Sequence, residues 1–135
     1  MKRYLPVIAR ILMGIVFLIM GLNGFLNFIP QPKTSMPAGA MEFADALMKS
    51  GYMMQLVSGT QLVVGILLLS NRFVPLALAL IAPVIVNIIA FHVFLVPEMI
   101  APGIIVAILE VYLAWVYRKV FFPMLEMKVA PDSSI

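Results

Sequence analysis

Four long apolar stretches, 5–29, 52–70, 74–96 and 103–122, take up most of this chain, and only Arg10, Glu110, Arg118 and Lys119 carry a formal charge inside them. A bilayer core is spanned by about 20 apolar residues of helix, and hydrocarbon offers no water to an unpaired backbone N–H or C=O. Stretches of this length therefore predict helices that cross a membrane. Hydrophobic residues make up 64% of the 135 positions and charged residues 11%, well outside the range of soluble domains. The expected fold is all-α, with one integral-membrane domain over 1–135 built as a four-helix transmembrane bundle. Cysteine is absent, which removes disulfides, thiolate catalysis and cysteine-ligated metal or iron–sulfur centres.

The basic residues give the direction of the helices. Lys2, Arg3, Arg10, Arg72, Arg118, Lys119 and Lys128 fall on one side of the four stretches, against Lys33 and Lys49 on the other. The positive-inside rule then places both termini in the cytoplasm. It also accounts for the net charge of +3 without nucleic acid, because the charges stand at the ends of apolar runs rather than in a patch. The start, MKR followed by an apolar run, has the outline of a secretory signal. Its run is too long, and the small-residue site at Ala38–Ala40 lies well past it, so the segment is read as an uncleaved signal anchor. The longest loop, on the outer side, contains AGAMEFADALMKSGY, where Met41, Ala44 or Asp45, and Met48 recur at helical spacing. A short interfacial helix is expected there, either capping the bundle or serving as an ordered connector.

Five polar residues inside the apolar stretches are the candidate ligand-binding set: Asn23, Gln61, Asn87, His92 and Glu110. Counted at the helical rise from alternating ends, Asn23 lies about 9 Å below the outer surface, Gln61 and Asn87 about 14 Å, and Glu110 about 11 Å. Asn27, Gln55 and His92 fall nearer the outer mouth. The depths thus converge on one layer in the outer half of the membrane. The faces converge only in part. Ser58, Gln61 and Gly65 share one helical face, as do Gly103, Ala107, Glu110, Ala114 and Tyr117, and small residues beside a polar one mark a helix–helix contact. Asn87 lies one turn after Pro83, which can bend its helix, whereas His92 is about 140° further round.

An ionised Glu110 alone in hydrocarbon would cost at least about 2.5 kcal/mol, so it is expected to be protonated, hydrogen-bonded or facing a wet cavity. Each of these residues also has a plainer reading, because amides and acids bridge membrane helices as packing contacts. One histidine without other ligands makes no metal site, and no metal is expected. Arg10, about 8 Å inside the opposite surface, is expected to snorkel to cytoplasmic headgroups. The chain offers no nucleophile beside a base and no phosphate loop, which argues against catalysis by this chain alone.

The segments ARILMGIVFLIMGLNGFLNFIPQP, SGYMMQLVSGTQLVVGILLLSNRFVPLAL, LIAPVIVNIIAFHVFL and ILEVYLAWVYRKVF, in this order and spacing, resemble the DoxX family of small four-helix bacterial membrane proteins. The resemblance spans nearly the whole chain. It implies a multi-pass protein of the bacterial inner membrane and a link to quinone chemistry, since the family is named after subunits associated with an archaeal thiosulfate:quinone oxidoreductase. Related sequences often carry glutamate where this chain has Gln61, and an amide cannot titrate, which weighs against a two-carboxylate proton mechanism. Thiosulfate oxidation does not carry over, because nothing here supplies a cysteine, a metal cluster or a cationic anion pocket.

Two functions remain open at this point. In the first, the outer half of the bundle binds a small lipophilic molecule such as a quinone. His92 or Asn87 then donates to a carbonyl and Glu110 accepts or relays a proton, in support of a membrane redox complex. In the second, the chain is a structural or assembly subunit whose polar residues only fix helix packing. The expected partners are the lipid bilayer and either a membrane redox protein or a second copy of the chain.

Overall fold

The computed structural model describes residues 3–26 and 37–132. Lys2, Asn27, Lys33, the end of the first apolar stretch and most of the loop PQPKTSMP, all singled out in the sequence, lie outside the described residues. Helices and short 3-10 turns make up the regular structure, and no strand occurs among the described residues. The elements are α1 (Leu5–Leu26), α2 (Ala38–Lys49), α3 (Met53–Ser70), α4 (Val74–Leu95), α5 (Ala101–Val116) and α6 (Arg118–Phe121), with 3-10 turns at Pro97–Met99 and Phe122–Leu125. Three of them, α1, α3 and α4, are long and apolar enough to cross a membrane. The 16-residue α5 is apolar but shorter.

The last apolar stretch departs most from its sequence outline. Its helix starts at Ala101, where Pro102 suits a first turn that needs no N–H from it, and it breaks at Tyr117 (φ −95°, ψ 16°). The Arg118 guanidinium folds back at the break. It donates to the Trp115 carbonyl at 2.9 Å and stacks 4.1 Å above the Trp115 ring.

Four helices meet in a closed circuit of contacts, α1 with α3, α3 with α4, α4 with α5, and α5 with α1, the α1–α3 seam being the most extensive. In lipid there is no hydrophobic gain from joining two apolar helices, so close van der Waals packing has to hold them. The α1–α3 seam supplies it through glycine. A Cβ on Gly21 would stand 2.5 Å from the Leu62 backbone nitrogen, and one on Gly65 would stand 2.6 Å from that of Leu18. Only hydrogen fits at either place. The centre of the circuit is filled by Met13 and Phe17 of α1, Leu68 of α3, Leu78 and Ile81 of α4, and Leu113 of α5, all nearly without exposed surface.

The turn between α3 and α4 is a tight Schellman stop. Asn71 takes the left-handed conformation (φ 57°), while the Asn71 and Arg72 N–H groups return to the Leu68 and Leu67 carbonyls at 3.3 and 3.1 Å. Arg10 completes this end of α3, since its guanidinium donates to the Leu68 carbonyl. The half-buried Arg10 side chain is held by the carbonyl end of a neighbouring helix, where the helix dipole favours a cation.

A helix does occupy the loop between α1 and α3, but its inward stripe is displaced by one residue from the expected one. Ala40, Phe43, Ala44 and Leu47 turn inward, while Met41 and Met48 are exposed. The reason lies in the neighbours, because the Phe43 ring finds Phe91 of α4 at 5.5 Å, and Gly39 sits against Leu95. Ser50 fixes the other end. Its hydroxyl donates to the Leu47 carbonyl at 2.7 Å and accepts from the Met53 N–H at 3.1 Å, which ties the last turn of α2 to the first of α3.

Candidate functional site

Where α2 lies across the ends of α3 and α4, the three helices enclose a cleft of about 200 Å³. Its walls are Phe43, Ala44 and Leu47 from α2, Met54 from α3, and Asn87, Ile88, Phe91 and His92 from α4. The α4 contribution follows from helical spacing, since residues 87, 88, 91 and 92 form one face in two turns. Phe43 and Phe91 meet at a tilt of 45°, and Phe91 and His92 meet edge to face, with ring centres 5.4 Å apart. The cleft is thus an apolar, largely aromatic slot carrying one amide and one imidazole.

His92 is held by its own helix. Its Nδ1 lies 2.7 Å from the Ile88 carbonyl oxygen one turn back, and the ring passes close to Gly103 at the start of α5. Gly103 is buried there, against Ile88 and Ile89, so the ring lies at a junction where α4 meets α5. Asn87 is exposed and lines the cleft.

The other three sequence candidates are not part of this cleft. Gln61 is buried, on the α3 face that also carries Ser58 and Gly65 and packs against the glycines of α1. Asn23 is half-buried on α1 and is engaged rather than free. Glu110 is half-buried on α5, and its Oε2 has no accessible surface and no hydrogen-bond partner among the described residues. The registers put Gln61 and Glu110 at a common level. Met54 faces Asn87 to Phe91 across the cleft, and Gly103 faces Ile88 and Ile89, so two turns further along each helix both side chains draw level with Pro83. No hydrogen bond joins Gln61, Asn87 and Glu110 among the described residues. Pro83 itself lies inside an unbroken α4. No group of three His, Cys, Asp or Glu side chains able to hold a metal ion occurs among the described residues.

The cleft wall contributed by α2 was missed in the sequence because the wrong stripe of that helix was taken as apolar. The repeat of Ala40, Phe43, Ala44 and Leu47 at positions i, i+3, i+4 and i+7 was there to be read, and it carries the one aromatic residue of the helix. Two further grooves, of about 360 Å³ along α3 and α4 at Gln55, Gly59 and Leu80 and of about 450 Å³ along α4 and α5 at Ile89, Ala107 and Tyr112, are open and mostly apolar. They have the character of surface that faces lipid acyl chains.

No curated protein and no solved structure matches the chain. The DoxX family model matches residues 5–96. The match runs from the first residue of α1 past the last residue of α4, and it includes every residue that lines the cleft. Apolar helices long enough to span a bilayer, joined by glycine-packed seams, and a family match over two thirds of the length lead to one assignment: the chain is an integral membrane protein of the DoxX family.

Proposed function

We propose that this chain is a multi-pass protein of the bacterial inner membrane that holds a small, ring-headed lipophilic molecule of the quinone class in the cleft beneath α2, in support of a membrane redox partner. The cleft carries the reading. It is apolar and aromatic with two convergent polar groups, Asn87 and His92, which is the usual make-up of a small-molecule site. Its volume suits one ring, since an apolar cavity of about 150 Å³ already holds benzene. Ring faces on Phe43 and Phe91 supply stacking surface, and the Asn87 amide can donate to a carbonyl.

In this proposal the four-helix circuit is the transmembrane bundle, with α5 as the fourth crossing and both termini in the cytoplasm. At about 24 Å, α5 is shorter than a bilayer core, and the short helix after Tyr117 brings Arg118 and Lys119 to the inner headgroups. Arg10 and Arg72 stand at that same end, as the positive-inside rule requires. The cleft then opens at the outer surface, with α2 lying along the interface.

The test is purification in mild detergent, followed by extraction and mass spectrometry of bound lipids and quinones from the wild type and from Asn87→Leu. A ring-headed lipid recovered in near-stoichiometric amount from the wild type and depleted in Asn87→Leu is the expected result. Equal recovery from both would remove the cleft as the site.

The filled interior favours a second reading for the remaining polar residues. Met13, Phe17, Leu78, Ile81 and Leu113 leave no space at the centre of the circuit for a ligand beside Gln61. Gln61 acts in helix packing, and a chain with an empty cleft would be a structural subunit.

A further inference from the structure

The hydrogen-bonding character of the cleft is set by how His92 is held. A carbonyl oxygen can only accept, so with Nδ1 at 2.7 Å from the Ile88 oxygen the proton of the neutral imidazole sits on Nδ1. Nε2 is then a lone-pair acceptor. It bonds no described residue, and His92 lines the cleft. Asn87, the other polar group of the cleft, presents both an amide N–H and a C=O, so it serves a donor or an acceptor equally well. The remaining walls, Phe43, Ala44, Leu47, Met54, Ile88 and Phe91, offer no comparable polar group from their side chains. Selection between a hydroxyl and a carbonyl on the ligand therefore falls to His92 Nε2. A ring hydroxyl would donate to it, whereas a ring carbonyl would set one lone pair against another.

Resting on the cleft being the ligand site, we propose that it selects lipophilic phenols, the class that includes hydroquinones, over the corresponding ring carbonyl compounds and ethers, the ligand O–H donating to His92 Nε2. The quinone-class molecule of the preceding section is then held in its reduced, hydroxyl-bearing form.

His92 is the only histidine in the chain, so histidine labelled with nitrogen-15 gives a single imidazole to follow in the full-length protein. The spectrum is recorded in mild detergent at mildly alkaline pH, free and with two probes of nearly the same shape, 4-propylphenol and its methyl ether 4-propylanisole. In the free protein the expected signals are a protonated Nδ1 and an unprotonated Nε2. Added phenol should shift the Nε2 signal in a saturable way and bind about tenfold more tightly than the ether, the factor that corresponds to one hydrogen bond. In His92→Phe that ratio should fall to about one. A proton found on Nε2 in the free protein, or equal binding of phenol and ether to the wild type, would overturn the selectivity while leaving the cleft as a ring site. Failure of both probes to bind saturably would overturn the ring site as well.

Discussion

Replacing Gly21 by alanine adds one methyl group and tests the α1–α3 seam directly. The new Cβ would stand 2.5 Å from the Leu62 nitrogen, 2.8 Å from its Cα and 2.9 Å from its Cβ. The first two are backbone atoms, so no side-chain rotation relieves them. Reaching an ordinary contact of 3.4 Å requires the helices to part by about 0.9 Å at that point. Parting loosens neighbouring contacts along the seam, and overpacking of this kind costs about 1–3 kcal/mol. Alanine recovers up to about 1 kcal/mol of helix propensity over glycine, leaving a net loss of about 0–2 kcal/mol. Gly59, on the same helix pair, is the control. A Cβ there meets nothing closer than Phe25 Cζ at 4.0 Å, so Gly59→Ala should be neutral or slightly stabilising. Gly14 lies between these extremes, because its Cβ would press on the movable Leu69 side chain at 2.9 Å. Equilibrium unfolding by SDS in mixed micelles, read from ellipticity and from emission of the single tryptophan, should rank the alanine variants Gly21 below Gly14 below Gly59. A Gly21→Ala protein as stable as Gly59→Ala would refute the close seam.

Arg10→Met should lower stability by about 1–2 kcal/mol in the same titration, because it strips a cationic donor from the carbonyl end of α3, and Arg10→Lys should recover part of the loss; an unchanged midpoint in Arg10→Met would show that the Leu68 contact does no work. Glu110→Met should raise stability by about 1 kcal/mol, since a buried carboxyl oxygen without a partner costs folding free energy that a thioether of similar length does not; a loss instead would mean that the carboxyl is bonded in the folded protein. An alkaline phosphatase domain fused after Ile135 should be inactive and one inserted after Lys49 active, and the reverse pattern would invert the proposed topology.

The helical class was legible because apolar runs of about 20 residues leave the backbone no other way to satisfy itself in lipid. Level along the bundle was legible for Gln61 and Glu110, which a fixed rise per residue brings together, but not for Asn87, which lies about one turn away. Rotation about each helix axis was not. Asn23, Gln61, Asn87 and Glu110 were counted to one layer, and Gln61 and Glu110 do draw level, yet Asn87 faces α2 rather than Gln61. Azimuth depends on which neighbour packs on which stripe, and a helix that is apolar all round carries little record of that. The seam was an exception. Ser58, Gln61 and Gly65 were readable as a contact face because small residues have one strong use between membrane helices, and that face does meet α1. For Arg10 the sequence shows the length of its side chain but not the Leu68 carbonyl within reach of it.

The cleft follows from an imbalance along α3. On one side, Gly21 and Gly65 let α1 and α3 approach until backbone nearly touches backbone. On the other, at the end where α3 begins, Met54 of α3 and Asn87, Ile88 and Phe91 of α4 line an open gap between the two helices. Two helices held apart in lipid would leave a wedge for acyl chains, but Ser50 anchors α2 to the start of α3 and Phe43 docks on Phe91, so the wedge is roofed by protein. A roofed wedge is a place where polar groups are tolerable on an otherwise apolar helix. Asn87 and His92 line that gap, with the imidazole Nδ1 bonded back to its own helix at the Ile88 carbonyl.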